Sequence, residues 1–230
     1  MEKYNPIKTY IQALSKDLGH GLILLGRAGL GKTESVLNSL QELNYKERQH
    51  YLYLTSYISP LQLYKKMQEV NKLKNPKILI LDDAEAVFQS QQSIGLIKSA
   101  LWQSLDNKRK VCWVSGTSQL FGVDKEFYFE GKIIFMLNEL NLKDPSISAI
   151  ADRTLFYKFD LSREDVISLI KKRALEKDEF NIPKDKRLEI ADYIGKVATD
   201  ETSLRLLVKA FQMYKISPNH YQELLLNLIN

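Results

Sequence analysis

Gly26-Arg27-Ala28-Gly29-Leu30-Gly31-Lys32-Thr33 satisfies the pattern G-x-x-x-x-G-K-[ST] at every fixed position. The chemistry such a run supplies is phosphate binding. Its glycines let the backbone wrap closely, so that successive N–H groups turn toward phosphate oxygens. A helix expected to begin near Lys32 adds the positive end of its dipole. Lys32 is expected to reach the β- and γ-phosphates of a nucleoside triphosphate, and Thr33 to ligate Mg²⁺. The phosphate-contacting stretch is therefore Gly26, Arg27, Ala28, Gly29, Leu30, Gly31, Lys32, Thr33 and, one position on, Glu34. ATP and Mg²⁺ are the cofactors this implies.

Further along, Ile78-Leu79-Ile80-Leu81 runs directly into Asp82-Asp83. A buried strand tolerates carboxylates at its end only where something compensates them, such as Mg²⁺ and its waters. Asp82 is assigned to the Mg²⁺ side. Asp83 is the candidate for orienting or activating an attacking water, and Glu85 is the rival base. Other chemistries find little support. His20, His50 and His220 are far apart and lack metal-ligand spacing, and no nucleophile elbow is present. Cys112, the single cysteine, lies between Val111 and Trp113 and reads as a core residue. It leaves no internal disulfide.

The elements that must position these residues alternate. Ile7, Tyr10, Ile11, Leu14 and Leu18 recur at helical spacing behind Pro6. Leu22 to Leu25 reads as a buried strand, Thr33 to Leu43 as helix and Tyr51 to Thr55 as strand. Pro60 to Leu73 reads as helix, Lys77 to Leu81 as strand and Ser93 to Leu105 as helix. That rhythm predicts an α/β fold with a doubly wound parallel sheet. Val111 to Val114 and Phe127 to Phe129 flank a loop with Gly116 and Gly122, predicting a β-hairpin. Lys132 to Leu137 and Leu155 to Phe159 are the last expected strands, and everything after Ser162 reads as helix, opened by Ser162 and Asp165. The expected division is residues 1–160 as nucleotide-binding core and 161–230 as a small helical lid.

With these motifs placed, the chain resembles the AAA+ ATPases from about Gly21 to Phe211. The resemblance implies a polar "sensor 1" residue after a later strand, and Asn138 follows Ile133-Ile134-Phe135-Met136-Leu137. It implies an arginine finger before the last core strand, matched by Arg153 in Ala151-Asp152-Arg153. It implies a "sensor 2" arginine in the lid, matched by Arg205 in Thr202-Ser203-Leu204-Arg205. Ser115 to Ser118 is a competing sensor 1 segment. Asp82-Asp83 stands where many members have Asp-Glu, and resembles some replication initiators. The hairpin resembles the presensor 1 insertion of the helicase and Holliday-junction branches. There Lys108-Arg109-Lys110 and Lys125 would meet DNA phosphates, although a solvated turn with core-facing aromatics explains it equally.

What the resemblance implies is an ATPase working as a homo-oligomeric ring or filament on a DNA transaction: helicase loading, replication initiation or strand remodelling. Its turnover would be slow and partner-stimulated. A protein-remodelling ATPase and a non-hydrolysing, ATP-switched adaptor are the alternatives. A net charge of +5 permits nucleic-acid contact without requiring it. No winged helix or other sequence-reading module is legible after the lid, so DNA contact is expected with backbone and targeting through a partner protein. Lys171-Lys172-Arg173 reads as the wet face of a helix. No apolar run approaches the ~18–20 residues that cross a bilayer, and no signal peptide is legible, which makes the cytoplasm the expected location.

Overall fold

A computed structural model of the chain describes residues 5–102, 104, 106–114, 124–176, 178 and 180–229. Two compact units emerge, Met1–Arg27 with Lys32–Phe159 and Ala28–Gly31 with Asp160–Asn230.

The first unit is built on five parallel strands: β1 (Gly21–Leu25), β2 (Tyr51–Thr55), β3 (Ile78–Asp82), β6 (Lys132–Leu137) and β7 (Leu155–Lys158), in the order β2-β3-β6-β1-β7. Every residue of β3 and β6 is buried, and Leu22, Ile23 and Leu24 of β1 are fully so. Central parallel strands covered on both faces must be apolar at consecutive positions, which is why these runs carry no polar alternation. The covering helices are α1 (Asn5–Ser15), α2 (Lys32–Glu42), α3 (Pro60–Asn71), α4 (Gln91–Leu101) and α5 (Pro145–Ala151). Burial of residues such as Ile23, Leu79, Ile133 and Phe135 contributes roughly 1.5–3 kcal/mol each.

Two departures from the sequence reading have local causes. Helix α1 stops at Ser15 because Asp17 turns left-handed at φ 58°, which leaves Leu18 69% exposed instead of on the apolar face. Helix α5 went unread, although its start signal is conventional. Asp144 accepts from the amides of Ser146 and Ile147, and Pro145 fills the first turn.

The hairpin forms from β4 (Lys110–Cys112) and antiparallel β5 (Glu126–Tyr128). Its aromatics turn inward: Phe129 is buried, and Tyr64 of α3 contacts both Trp113 and Phe127. Gln68 and Asn71 of α3 donate to the carbonyls of Asp124 and Tyr128. Strand alternation buries Val111 and turns Cys112 outward, so Cys112 is exposed, not a core residue. Of the basic run, Arg109 is buried, Lys110 pairs with Glu126 at 2.9 Å and Lys108 lies 3.9 Å from Asp106. Of the residues read as fitting DNA-phosphate contact, Arg109 is thus packed inward while Lys108 and Lys110 stay exposed. Ser115 to Ser118, with Gly116 and Gly122, lie outside the described residues.

The second unit contains α6 (Arg163–Glu176), α7 (Lys184–Val197), α8 (Arg205–Ile216) and α9 (Tyr221–Ile229). Ile170, Ile190, Ile194, Leu207, Phe211 and Leu225 are buried in it. Ser162 and Asp165 cap one another across the start of α6, with Asp165 N–H donating to Ser162 Oγ and Ser162 N–H to Asp165 Oδ2. Lys171 pairs with Asp192 and Lys172 with Glu176, as a solvated helix face does. Among the described residues no helix is long and apolar enough to cross a membrane.

Candidate functional site

Parallel register assembles the site. Leu25 of β1 faces Leu137 of β6, and Asp82 of β3 faces Met136, so the three strands end level. The backbone continues that alignment past the strands: Gly26 N–H donates to Leu137 O and Asp83 N–H to Met136 O, both at 3.1 Å. Gly26, Asp83 and Asn138 thus leave the sheet side by side at its carboxyl end, where open α/β sheets bind ligands.

Gly26 is required there by space. A Cβ on it would stand 2.3 Å from the Phe159 carbonyl oxygen, because the backbone after β7 runs against β1 with Phe159 N–H donating to Leu25 O. Gly29 is required by conformation, since its φ of +76° is disfavoured for any residue with a Cβ. Helix α2 begins at Lys32, at the end of this loop. Lys32 is buried, and its ammonium donates to Gly26 O, to Arg27 O at 2.9 Å and to Asn138 Oδ1 at 3.0 Å. A buried cation at a helix start behind a glycine-wrapped loop fits an anionic phosphate chain.

Thr33 Oγ1 donates to Asp82 Oδ2 at 2.8 Å, joining the two residues assigned to Mg²⁺. A hydroxyl and a carboxylate are hard oxygen donors, and few protein ligands suit Mg²⁺, which keeps waters and shares phosphate oxygens. No cluster of three or more His, Cys, Asp or Glu suited to a metal occurs among the described residues.

Asn138 is the hub. Its Nδ2 donates to Asp83 Oδ1 at 3.0 Å, and its N–H donates to Glu85 Oε1 at 2.8 Å, while Oδ1 accepts from Lys32. The structure therefore brings both rival bases to one asparagine. Asp83 holds a left-handed φ of 49°, which swings its exposed carboxylate out of the strand direction beside Asp82. Glu85 opens the short 3₁₀ turn Glu85–Phe88.

Arg153 follows α5 on the surface, and among the described residues its guanidinium bonds only the Ala149 carbonyl. It makes no contact with Lys32, Asp82, Asp83 or Asn138. Arg205 is exposed and begins α8. Within the second unit, Leu204 N–H donates to Gly29 O at 2.9 Å, and Arg205 Cδ lies 3.4 Å from where a Cβ on Gly29 would stand. Arg205 is thus adjacent to the loop residue Gly29.

Tyr53 was missed by the sequence reading. Its hydroxyl donates to Asp82 Oδ2 at 2.6 Å, and burial together with that bond pushes its own ionisation upward. Nothing in the sequence shows that β2 lies next to β3, so a tyrosine twenty-nine positions away gave no signal. Replacing Tyr53 with phenylalanine removes a hydrogen bond to a charged acceptor, which contributes about 1.5–3 kcal/mol. The expected result is a roughly tenfold higher Mg²⁺ concentration for half-maximal binding of a fluorescent nucleotide, with metal-free binding little changed and the melting temperature lowered by several degrees. Unchanged Mg²⁺ dependence would reduce Tyr53 to a packing residue.

No protein-family model matches the chain. A phage T4 protein described as an uncharacterized 36.7 kDa protein of the nrdC–mobD intergenic region is 29% identical over 213 residues, covering 77% of the chain. The chain spans 63% of that phage protein's length. Among solved structures, the Thermotoga maritima RuvB Holliday junction branch migration motor aligns over the whole chain and 69% of its own, with a TM-score of 0.56 at 14% identity. A DNA replication initiation factor aligns over 91% of the chain and 59% of its own, with a TM-score of 0.50 at 18% identity. The likeness to these structures shows the fold, a five-stranded parallel sheet flanked by helices.

Proposed function

We propose that the chain binds ATP with Mg²⁺ on Gly26 to Glu34 and hydrolyses it, as an oligomer, to drive or switch a DNA transaction. The observation that carries this is the convergence of Lys32, the Thr33–Asp82 pair and Asn138 with its two carboxylates at the level ends of three parallel strands. The DNA theme is supported by the likeness to a branch migration motor and an initiation factor.

Lys32 binds the terminal phosphate oxygens in exchange for its present carbonyl partners. Thr33 and Asp82 would hold Mg²⁺, which when bound would supply charge neutralisation on the phosphates. Asn138 holds Asp83 and Glu85 in place, and one of these carboxylates takes the proton of the water that attacks the γ-phosphorus. The bond to the β–γ bridging oxygen breaks, leaving ADP and phosphate. Arg153 serves the neighbouring subunit, and Arg205 senses the bound phosphates from α8.

The test is the hydrolysis rate of the chain alone, with single-stranded DNA, with duplex DNA and with an unfolded protein. Stimulation by DNA is the expected result. Stimulation by unfolded protein alone would replace the reading with protein remodelling. ATP binding without turnover under every condition would make the chain an ATP-switched adaptor.

A further inference from the structure

A second cleft opens in the first unit, at the amino ends of the strands, opposite the end that carries Gly26 and Asn138. Its volume is about 480 Å³, and the base of the hairpin forms one wall, within the ~300–1,000 Å³ range of small-ligand clefts. Arg109 lines it while being only 7% exposed. One guanidinium nitrogen, Nη1, donates to Ala100 O at 2.9 Å and Gly131 O at 2.8 Å, and the group lies 5.3 Å from the centre of the Phe129 ring.

A buried guanidinium is costly unless an opposite charge balances it. Among the described residues no carboxylate lies within 4.0 Å of Arg109. The two carboxylates in the cleft wall are each engaged elsewhere. Asp17 pairs with the buried Lys132 at 2.6 Å, and the Lys132 ammonium holds its carboxyl below the usual range. Glu130 pairs with Lys77. Burial correspondingly lowers the Arg109 ionisation to about 10, with Asp17 and Glu130 opposing the shift only from a distance. Lys108 stands in the same wall, 57% exposed in its side chain, with its ammonium 5.2 Å from the Tyr128 ring centre and a long 3.9 Å approach to Asp106. Asn107 adds an amide donor to the wall. The lining therefore offers hydrogen-bond donors from two cations, Arg109 and Lys108, neither of which has a carboxylate closer than 3.9 Å among the described residues, around a space that an anion would complete.

We propose that this cleft binds a phosphate-type oxyanion through Arg109 and Lys108. The anion site does not depend on ATP binding at Gly26 to Glu34. Its identification with a nucleic-acid backbone phosphate, as against free phosphate, rests on the proposed DNA role.

The experiment uses the full chain carrying Lys32→Ala, so that the phosphate loop contributes little. Inorganic phosphate is titrated calorimetrically, and a fluorescent oligothymidylate by anisotropy at several salt concentrations. Adding Lys108→Gln or Arg109→Lys is expected to weaken phosphate binding by roughly fivefold or more, and to lower the salt slope of oligonucleotide binding by about one. Weaker phosphate binding with unaltered oligonucleotide binding would support the site and assign it to free phosphate. Arg109→Lys is buried and its folding is checked by circular dichroism. Lys108→Gln changes an exposed side chain and tests the proposal alone if Arg109→Lys does not fold. The proposal is overturned if the Lys32→Ala chain binds no phosphate, or if a folded Lys108→Gln variant binds both probes as its parent does.

Discussion

Replacing Lys32 with alanine is expected to abolish measurable ATP hydrolysis and to weaken nucleotide binding sharply. The ammonium is buried at the start of α2, where two loop carbonyls and Asn138 Oδ1 hold it in place. A phosphate chain would exchange those neutral acceptors for charged ones in a poorly solvated place, where charge-assisted bonds are stronger. Loss of one such preorganised donor lowers rates by about 10²–10³-fold in well-studied enzymes. Here the same group also orients Asn138, so the loss reaches the asparagine that steadies Asp83 and Glu85. Steady-state hydrolysis and fluorescent-nucleotide binding measure the two effects separately, and a thermal melt checks the fold. A variant that binds and hydrolyses ATP like its parent removes the basis of the proposed function.

Arg153→Ala is expected to keep nucleotide affinity and lose hydrolysis. Arg153 is exposed, its guanidinium rests on the Ala149 carbonyl of its own helix, and no described contact joins it to Lys32 or the acidic residues. A residue so placed acts on the reaction most directly by reaching ATP on a neighbouring copy, where it stabilises charge developing on the γ-phosphate. Arginine fingers contribute about 10³–10⁵-fold in rate. Two further results are expected: activity per subunit rises with protein concentration, and mixing Arg153→Ala with Lys32→Ala restores part of it. In a mixed assembly some interfaces pair an intact loop with an intact finger. Damage confined to one subunit's own fold would not be rescued. Concentration-independent activity, with an inactive mixture despite demonstrated co-assembly, refutes the role.

The sequence by itself determined the local chemistry and the local structure around it. The glycine pattern of Gly26, Gly29 and Gly31 is a backbone property, and the apolar runs of β1, β3 and β6 announce burial on both faces without reference to any partner. The Ser162–Asp165 cap and the hairpin were legible for the same reason, since each depends on residues close in the chain or on strand alternation. Alternation also decided Cys112, whose apolar neighbours concealed that it faces outward from β4. The tertiary structure alone decided which strands lie side by side. Only the order β2-β3-β6-β1-β7 brings Tyr53 to Asp82 and seats Asn138 among Lys32, Asp83 and Glu85. It also decided that Arg109, one cation in a basic run, turns inward to bond Ala100 and Gly131 while Lys108 stays in solvent. The physical reason is common to these cases. A residue type states what bonds a side chain can make, but packing of segments distant in the chain sets which partners come within reach and which charges lose water.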